Sequence, residues 1–98
     1  CPPDHYGIEY EINPWMDKTK GADRPRAQAQ WQALHDTLVS LGVDVRLFGG
    51  KGLPDLVFTA NAGLIWRSTA FVATFRHGAR QGETPIDEAW FKGCGFRQ

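Results

Sequence analysis

Only two cysteines, Cys1 and Cys94, occur in the 98 residues, too few for a disulfide framework and without the spacing of a zinc site. With so little thiol, a reducing cytoplasm is the simplest compartment. Charge of one sign is missing as well: eleven Lys and Arg balance eleven Asp and Glu. The electrostatic footprint of a nucleic-acid binder is therefore absent. No apolar run approaches the roughly 20 residues that a membrane-spanning helix needs. The N-terminus has neither the basic start nor the apolar stretch of a signal peptide. His5, His35 and His77 fall in no metal-ligand pattern, no motif implies a cofactor, and there is no repeat or low-complexity tract. What is present is a globular composition, 42% hydrophobic and 12% aromatic, on a chain long enough for one domain at most. Such a chain buries about 60–65% of its unfolded surface.

Along the chain, Tyr6, Ile8, Tyr10 and Ile12 alternate with polar residues, which predicts a strand over His5–Ile12, ended by Asn13-Pro14. Asp17–Asp23 reads as a polar loop long enough to act as a lid, with Trp15 and Met16 packed beneath it. Asp23 as cap, Pro25 in the first turn and Gly42 past the end delimit a helix. Its apolar stripe is Ala27, Trp31, Leu34, Leu38 and Leu41, and His35 falls outside that stripe, toward solvent. Val43–Phe48 reads as a short strand closed by Gly49-Gly50-Lys51-Gly52. Ala62–Trp66 and Thr69–Phe75 read as a hairpin joined at Arg67-Ser68. Thr84-Pro85-Ile86-Asp87 has capping-box spacing, with Asp for the usual Glu, and opens a second helix that Gly93 or Gly95 ends. No terminal strand is evident after it. The order strand, helix, three strands, helix belongs to the α/β or α+β class.

The segment Leu53–Leu64 is apolar enough to be buried, yet it carries Asp55 and Asn61. Burying a polar side chain without a partner costs about 1–3 kcal/mol, so this segment looks like a place where something polar binds. Asp55, set by the fixed φ of Pro54, could equally form an Asx-turn or cap a helix. Asn61 could simply end a turn before the hairpin. Arg80, read alone, is a solvated surface residue, and Asn13 is an ordinary turn signal beside a proline.

Three ordered motifs go further. Cys1-Pro2-Pro3-Asp4-His5-Tyr6, Ile12-Asn13-Pro14-Trp15-Met16 and Leu53–Leu64, with its run Thr59-Ala60-Asn61-Ala62-Gly63-Leu64, resemble the N-terminal part of the guanidino-group-modifying superfamily. That group includes arginine deiminases, dimethylarginine hydrolases, amidinotransferases and arginine dihydrolases, and the resemblance is nearest to the arginine dihydrolase branch. It implies an α/β propeller of five ββαβ modules. Residues 1–98 would be the front part of a longer protein, supplying the first module and the start of the second within a single catalytic domain.

The resemblance also implies chemistry. A cysteine attacks the guanidinium carbon of L-arginine, ammonia leaves, and water hydrolyses the thiouronium adduct, with a histidine as general acid and base. Both residues would lie beyond Gln98, so Cys1 and Cys94 are not nucleophiles, none of the three histidines is the base, and the chain alone is expected to be inactive. Asp55 would accept from the arginine substrate, Arg80 would hold its α-carboxylate ahead of the neighbouring Arg76, and Asn13 would reach into the channel. Dimethylarginine hydrolases resembling this chain carry Glu-Asp where Ala60-Asn61 stands. An amide offers both donors and an acceptor, so Asn61 is the expected catalytic residue that retains the ureido intermediate for a second hydrolysis to ornithine. Other readings are a dimethylarginine hydrolase, an amidinotransferase, or a non-catalytic module that binds an amino acid. The partner in each is a small molecule, not nucleic acid or membrane, and a homo-oligomer is left open.

Overall fold

Asp23 and Gly42 bracket the longest element, α1 (Arg24–Ser40), as their chemistry requires. The Asp23 carboxylate accepts from the Arg26 backbone N–H at 3.0 Å, satisfying one of the donors that a helix start leaves without an internal partner. At the other end Gly42 adopts φ +83°, and the Gly42 and Val43 N–H groups donate back to Val39 and Leu38. That pair of bonds is a Schellman stop, which a left-handed glycine makes inexpensive.

The computed structural model describes residues 1–98, which divide into two units, Cys1–Val57 and Phe58–Gln98. In the first, the chain before α1 is tied to the helix by Arg24 Nε donating to the Tyr6 carbonyl at 3.0 Å and Gln28 Nε2 donating to Asp4 at 3.4 Å. The expected strands over 5–12 and 43–48 do not form. Alternation supplies an apolar face, but a strand is held by ladder bonds to a neighbour, and this unit provides no neighbouring strand. The expected lid holds a 3₁₀ turn, Lys18–Lys20, capped by Asp17, while Trp15 is 87% exposed instead of packed under it. The half-buried stripe of α1 runs through Ala27, Trp31, His35 and Leu38. Leu34 and Leu41 are exposed, and His35 takes the inward place by stacking on Trp31 at 5.3 Å. A spacing of four through His35 thus replaces the spacing of three through Leu34.

The second unit follows its pattern more closely. Strands β1 (Gly63–Trp66) and β2 (Thr69–Val72) pair antiparallel with Trp66 opposite Thr69, so Arg67-Ser68 is the two-residue loop. Arg67 takes φ +54° there, as tight hairpins demand at their first loop position. A single turn, α2 (Gly78–Gln81), leads to α3 (Thr84–Gly93). Gly95 at φ +87° ends it, with Gly95 and Phe96 N–H bonded to Lys92 and Phe91 carbonyls. Phe96 closes edge-on against Phe91 at 6.1 Å, the apolar contact that accompanies this stop. The capping box does not form. Thr84 already lies inside the helix, and its hydroxyl donates to the Ala73 carbonyl at 2.9 Å, serving the end of the β2 segment instead. Beyond the helix, Arg97 forms a parallel bridge to Thr69, with bonds of 2.7 and 2.9 Å to Ala70 and Ser68. No strand forms after α3, so this isolated bridge is the pairing that the end of the chain makes.

Gly63 is required by the hairpin itself. A Cβ placed there would lie 2.6 Å from the Phe71 carbonyl oxygen and 3.2 Å from the Val72 Cα, both backbone atoms that cannot rotate away. Gly63→Ala should lower stability by about 1–3 kcal/mol, the range for overpacking, measured as a shift in urea midpoint. Gly93→Ala meets nothing within 4 Å and should not lower it.

Candidate functional site

In the second unit four side chains converge, with one guanidinium at their centre. Arg80 lies in α2, and its Nε and Nη2 donate to the two carboxylate oxygens of Glu83 at 2.8 and 2.7 Å. Its Nη1 donates to Asn61 Oδ1 at 3.1 Å, and its Cζ stands 4.2 Å over the Phe75 ring. The Arg80 side chain is 12% exposed and that of Glu83 is 2%. An arginine this dry needs its donors matched, and a carboxylate three residues on supplies the planar fork it fits. The reading of Arg80 as solvated is therefore replaced by a forked, ring-stacked pair. Three places in the sequence build it: the 3₁₀ turn Thr59–Asn61 before β1, the segment after β2, and the start of α3.

The contact with Arg80 settles which way the Asn61 amide faces. Arginine has no acceptor, so the amide oxygen must be the end turned toward it. The NH2 end then points away, on a residue that is exposed. The Leu53–Leu64 segment is accordingly not buried throughout: Pro54, Asp55, Leu56 and Ala62 are, whereas Phe58 and Asn61 are exposed.

Asp87 is the electrostatic anomaly. It is 2% exposed, one helical turn beyond Glu83. Burial raises its pKa to about 6, repulsion from Glu83 adds to the rise, and Arg80 opposes it. One guanidinium serves two buried carboxylates, so the second holds its proton into mildly acidic pH.

In the first unit, Asp55 sits in the 3₁₀ turn Pro54–Val57, buried together with both its neighbours in that turn. Asn13 is exposed, and its Oδ1 accepts from the Trp15 and Met16 N–H groups at 3.0 and 3.2 Å, an Asx-turn in the local sense. Neither Cys1 nor Cys94 is disulfide-bonded, no group of His, Cys, Asp and Glu has the arrangement of a metal site, and no helix is long and apolar enough to cross a membrane. Sequence reasoning missed Glu83, Phe75 and Asp87. The available signal was the spacing of three and then four from Arg80 to Glu83 to Asp87, which places both carboxylates along one helical face.

Comparison with known proteins returns no matching family model. Individual relatives are clear. The chain is 44% identical over 97 residues to the bifunctional arginine dihydrolase/ornithine cyclodeaminase ArgZ of Synechocystis, covering 98% of this chain and 14% of that protein. It is 45% identical over 97 residues to the N(G),N(G)-dimethylarginine dimethylaminohydrolase of Mycobacterium tuberculosis, again over 98% of this chain and 32% of the relative. Among solved structures it is similar, at TM-score 0.86 and 41% identity, to the N-terminal domain of an asparagine-to-serine variant of ArgZ covalently bound to a reaction intermediate. That match covers 98% of this chain and 36% of the other. The chain is thus a homologue of arginine dihydrolases and dimethylarginine hydrolases, as the three motifs implied, and spans a minor part of their length.

Titration of Asp87 has a measurable consequence. Its folded pKa lies above the unfolded value, so ionising it costs the folded state more than the unfolded one. The stability linked to its proton is intact below about pH 4 and lost as pH rises through about 6. Asp87→Asn should therefore match the parent near pH 4 and be the more stable by about 2–3 kcal/mol at pH 7, since each tenfold change in proton affinity is worth about 1.4 kcal/mol. Denaturant melts of both proteins across this range check it.

Proposed function

We propose that the protein containing this chain hydrolyses the guanidinium group of L-arginine through a cysteine thiouronium adduct, consuming two waters and giving ornithine, two molecules of ammonia and carbon dioxide. The nucleophilic cysteine and the histidine acid–base lie outside residues 1–98, which form the N-terminal part of a single catalytic domain. Homology over 98% of the chain to an arginine dihydrolase supports the reaction class. The observation that carries the specific reading is the 3.1 Å bond from Arg80 to Asn61 Oδ1, which turns the amide donors outward.

A donor suits the second hydrolysis. Once the first ammonia has left and water has hydrolysed the thiouronium adduct, the substrate carbon bears a carbonyl oxygen, and an N–H from Asn61 stabilises that acceptor through the second hydrolysis. A carboxylate at this position would repel it. The relative caught with a bound intermediate is an asparagine variant, and Asn61 is one of two asparagines in this chain. Arg80 is assigned to the substrate α-carboxylate, Asp55 to accept from the substrate, and Asn13 to donate through its amide NH2. For the architecture, β1, β2, α3 and the parallel bridge at Arg97 follow one another in the order of a ββαβ module, which supports the five-module propeller. The setting is a cytoplasmic one.

A second reading, a dimethylarginine hydrolase, draws on the mycobacterial relative. Product analysis separates the two: ornithine from arginine supports the first, and citrulline with dimethylamine from dimethylarginine supports the second. In the full-length protein, Asn61→Asp should still consume arginine but release citrulline, with ornithine output down about 10- to 100-fold, the worth of one hydrogen bond to a developing charge. Ornithine output equal to the parent would overturn the role of Asn61.

A further inference from the structure

We infer that Glu83 is a positioning residue for the Asn61 amide, acting through Arg80. The inference rests on the proposed role of Asn61 and extends it to a group that cannot touch substrate, since Glu83 is 2% exposed.

An asparagine amide rotates easily about its last bond, because that torsion has broad wells. Which end faces a substrate is then decided by the partner. Arg80 decides it here, with Nη1 at 3.1 Å from the amide oxygen. Arg80 in turn has a long, flexible stem and needs fixing in two directions. The Phe75 ring at 4.2 Å holds the guanidinium plane from one face. Rotation within that plane is stopped by Glu83, whose two oxygens take Nε and Nη2 at 2.8 and 2.7 Å. With those two donors fixed the guanidinium cannot turn in its plane, and one Nη1 N–H stays directed at Asn61. Among side chains, only a carboxylate accepts from both at once, so the chain of three residues Glu83, Arg80 and Asn61 is ordered from its buried end outward. Glu83 itself is anchored at the start of α3, which is fastened to the β2 segment by the Thr84–Ala73 bond.

A purely structural ion pair would change melting temperature and leave product choice alone. A positioning role changes product choice. The test uses the full-length protein with arginine as substrate. Glu83→Gln keeps shape but leaves a single acceptor, so the fork is lost. Arginine consumption falls as well, because Arg80 also serves the substrate, but the ratio of citrulline to ornithine, which a general loss of binding leaves alone, rises at least about tenfold. Arg80→Lys keeps a cation opposite Glu83 but cannot reach Asn61 at the same time, and should shift the ratio the same way. If Glu83→Gln does not fold, Arg80→Lys decides alone. A parent-like product ratio in a folded variant overturns the inference.

If the parent itself does not turn over arginine, the proposed function fails, and the geometry is read directly. The Asn61 side-chain amide signal, identified by its loss in Asn61→Ala, should move in the nitrogen–proton NMR spectrum of Glu83→Gln. An unmoved signal overturns the positioning role independently of activity.

Discussion

The second unit is organised around the buried pairing of Arg80 with Glu83. Taking either charge out of water costs several kcal/mol, and mutual attraction offsets that only when the geometry is good and the remaining donors are used. Every nearby element answers to that requirement. The α3 start supplies both oxygens, the segment after β2 supplies an aromatic face, and the turn before β1 supplies an amide oxygen. The unit buries more charged side chains than large apolar ones, since Ala62 and Ala70 are its buried hydrophobes while Glu83 and Asp87 are its buried acids. Packing alone would not specify so small a core, and the hydrogen-bonded pair contributes the directional information that alanines cannot.

The same pair leaves an unbalanced charge. Asp87 meets Glu83 and Arg80 in a dry setting, and its pKa rises to about 6 because burial penalises its charged form. A domain selected for stability alone would place a neutral side chain there. A second acid beside the guanidinium is therefore kept at a cost to folding.

How much can be read in advance varies with the range of the interaction. The cap at Asp23 and the glycine stops at Gly42 and Gly95 are legible, because each rests on backbone bonds within a few residues. So is the hairpin loop at Arg67-Ser68. The segments 5–12 and 43–48 have strand-like alternation but no neighbour to pair with. The Thr84 capping box fails for a related reason, since the hydroxyl meets a strand-end carbonyl eleven residues back. In the site, Asn61 stands out by motif and Arg80 through the resemblance those motifs carry, whereas Glu83 does not, because an acid three residues after an arginine usually marks a solvated face.

The residues themselves determined where helices start and stop, where the hairpin turns, and the kinship to guanidino-modifying enzymes, since local φ preferences, short-range hydrogen bonds and ordered motifs need no distant partner. Tertiary structure alone decided that Arg80 is forked by Glu83 and that the Asn61 amide presents its donors outward. Nineteen residues separate Asn61 from Arg80, and the chain between them must fold into a hairpin before the two can meet. An amide has no preferred end until a donor arrives to take its oxygen, and that donor comes from beyond the hairpin.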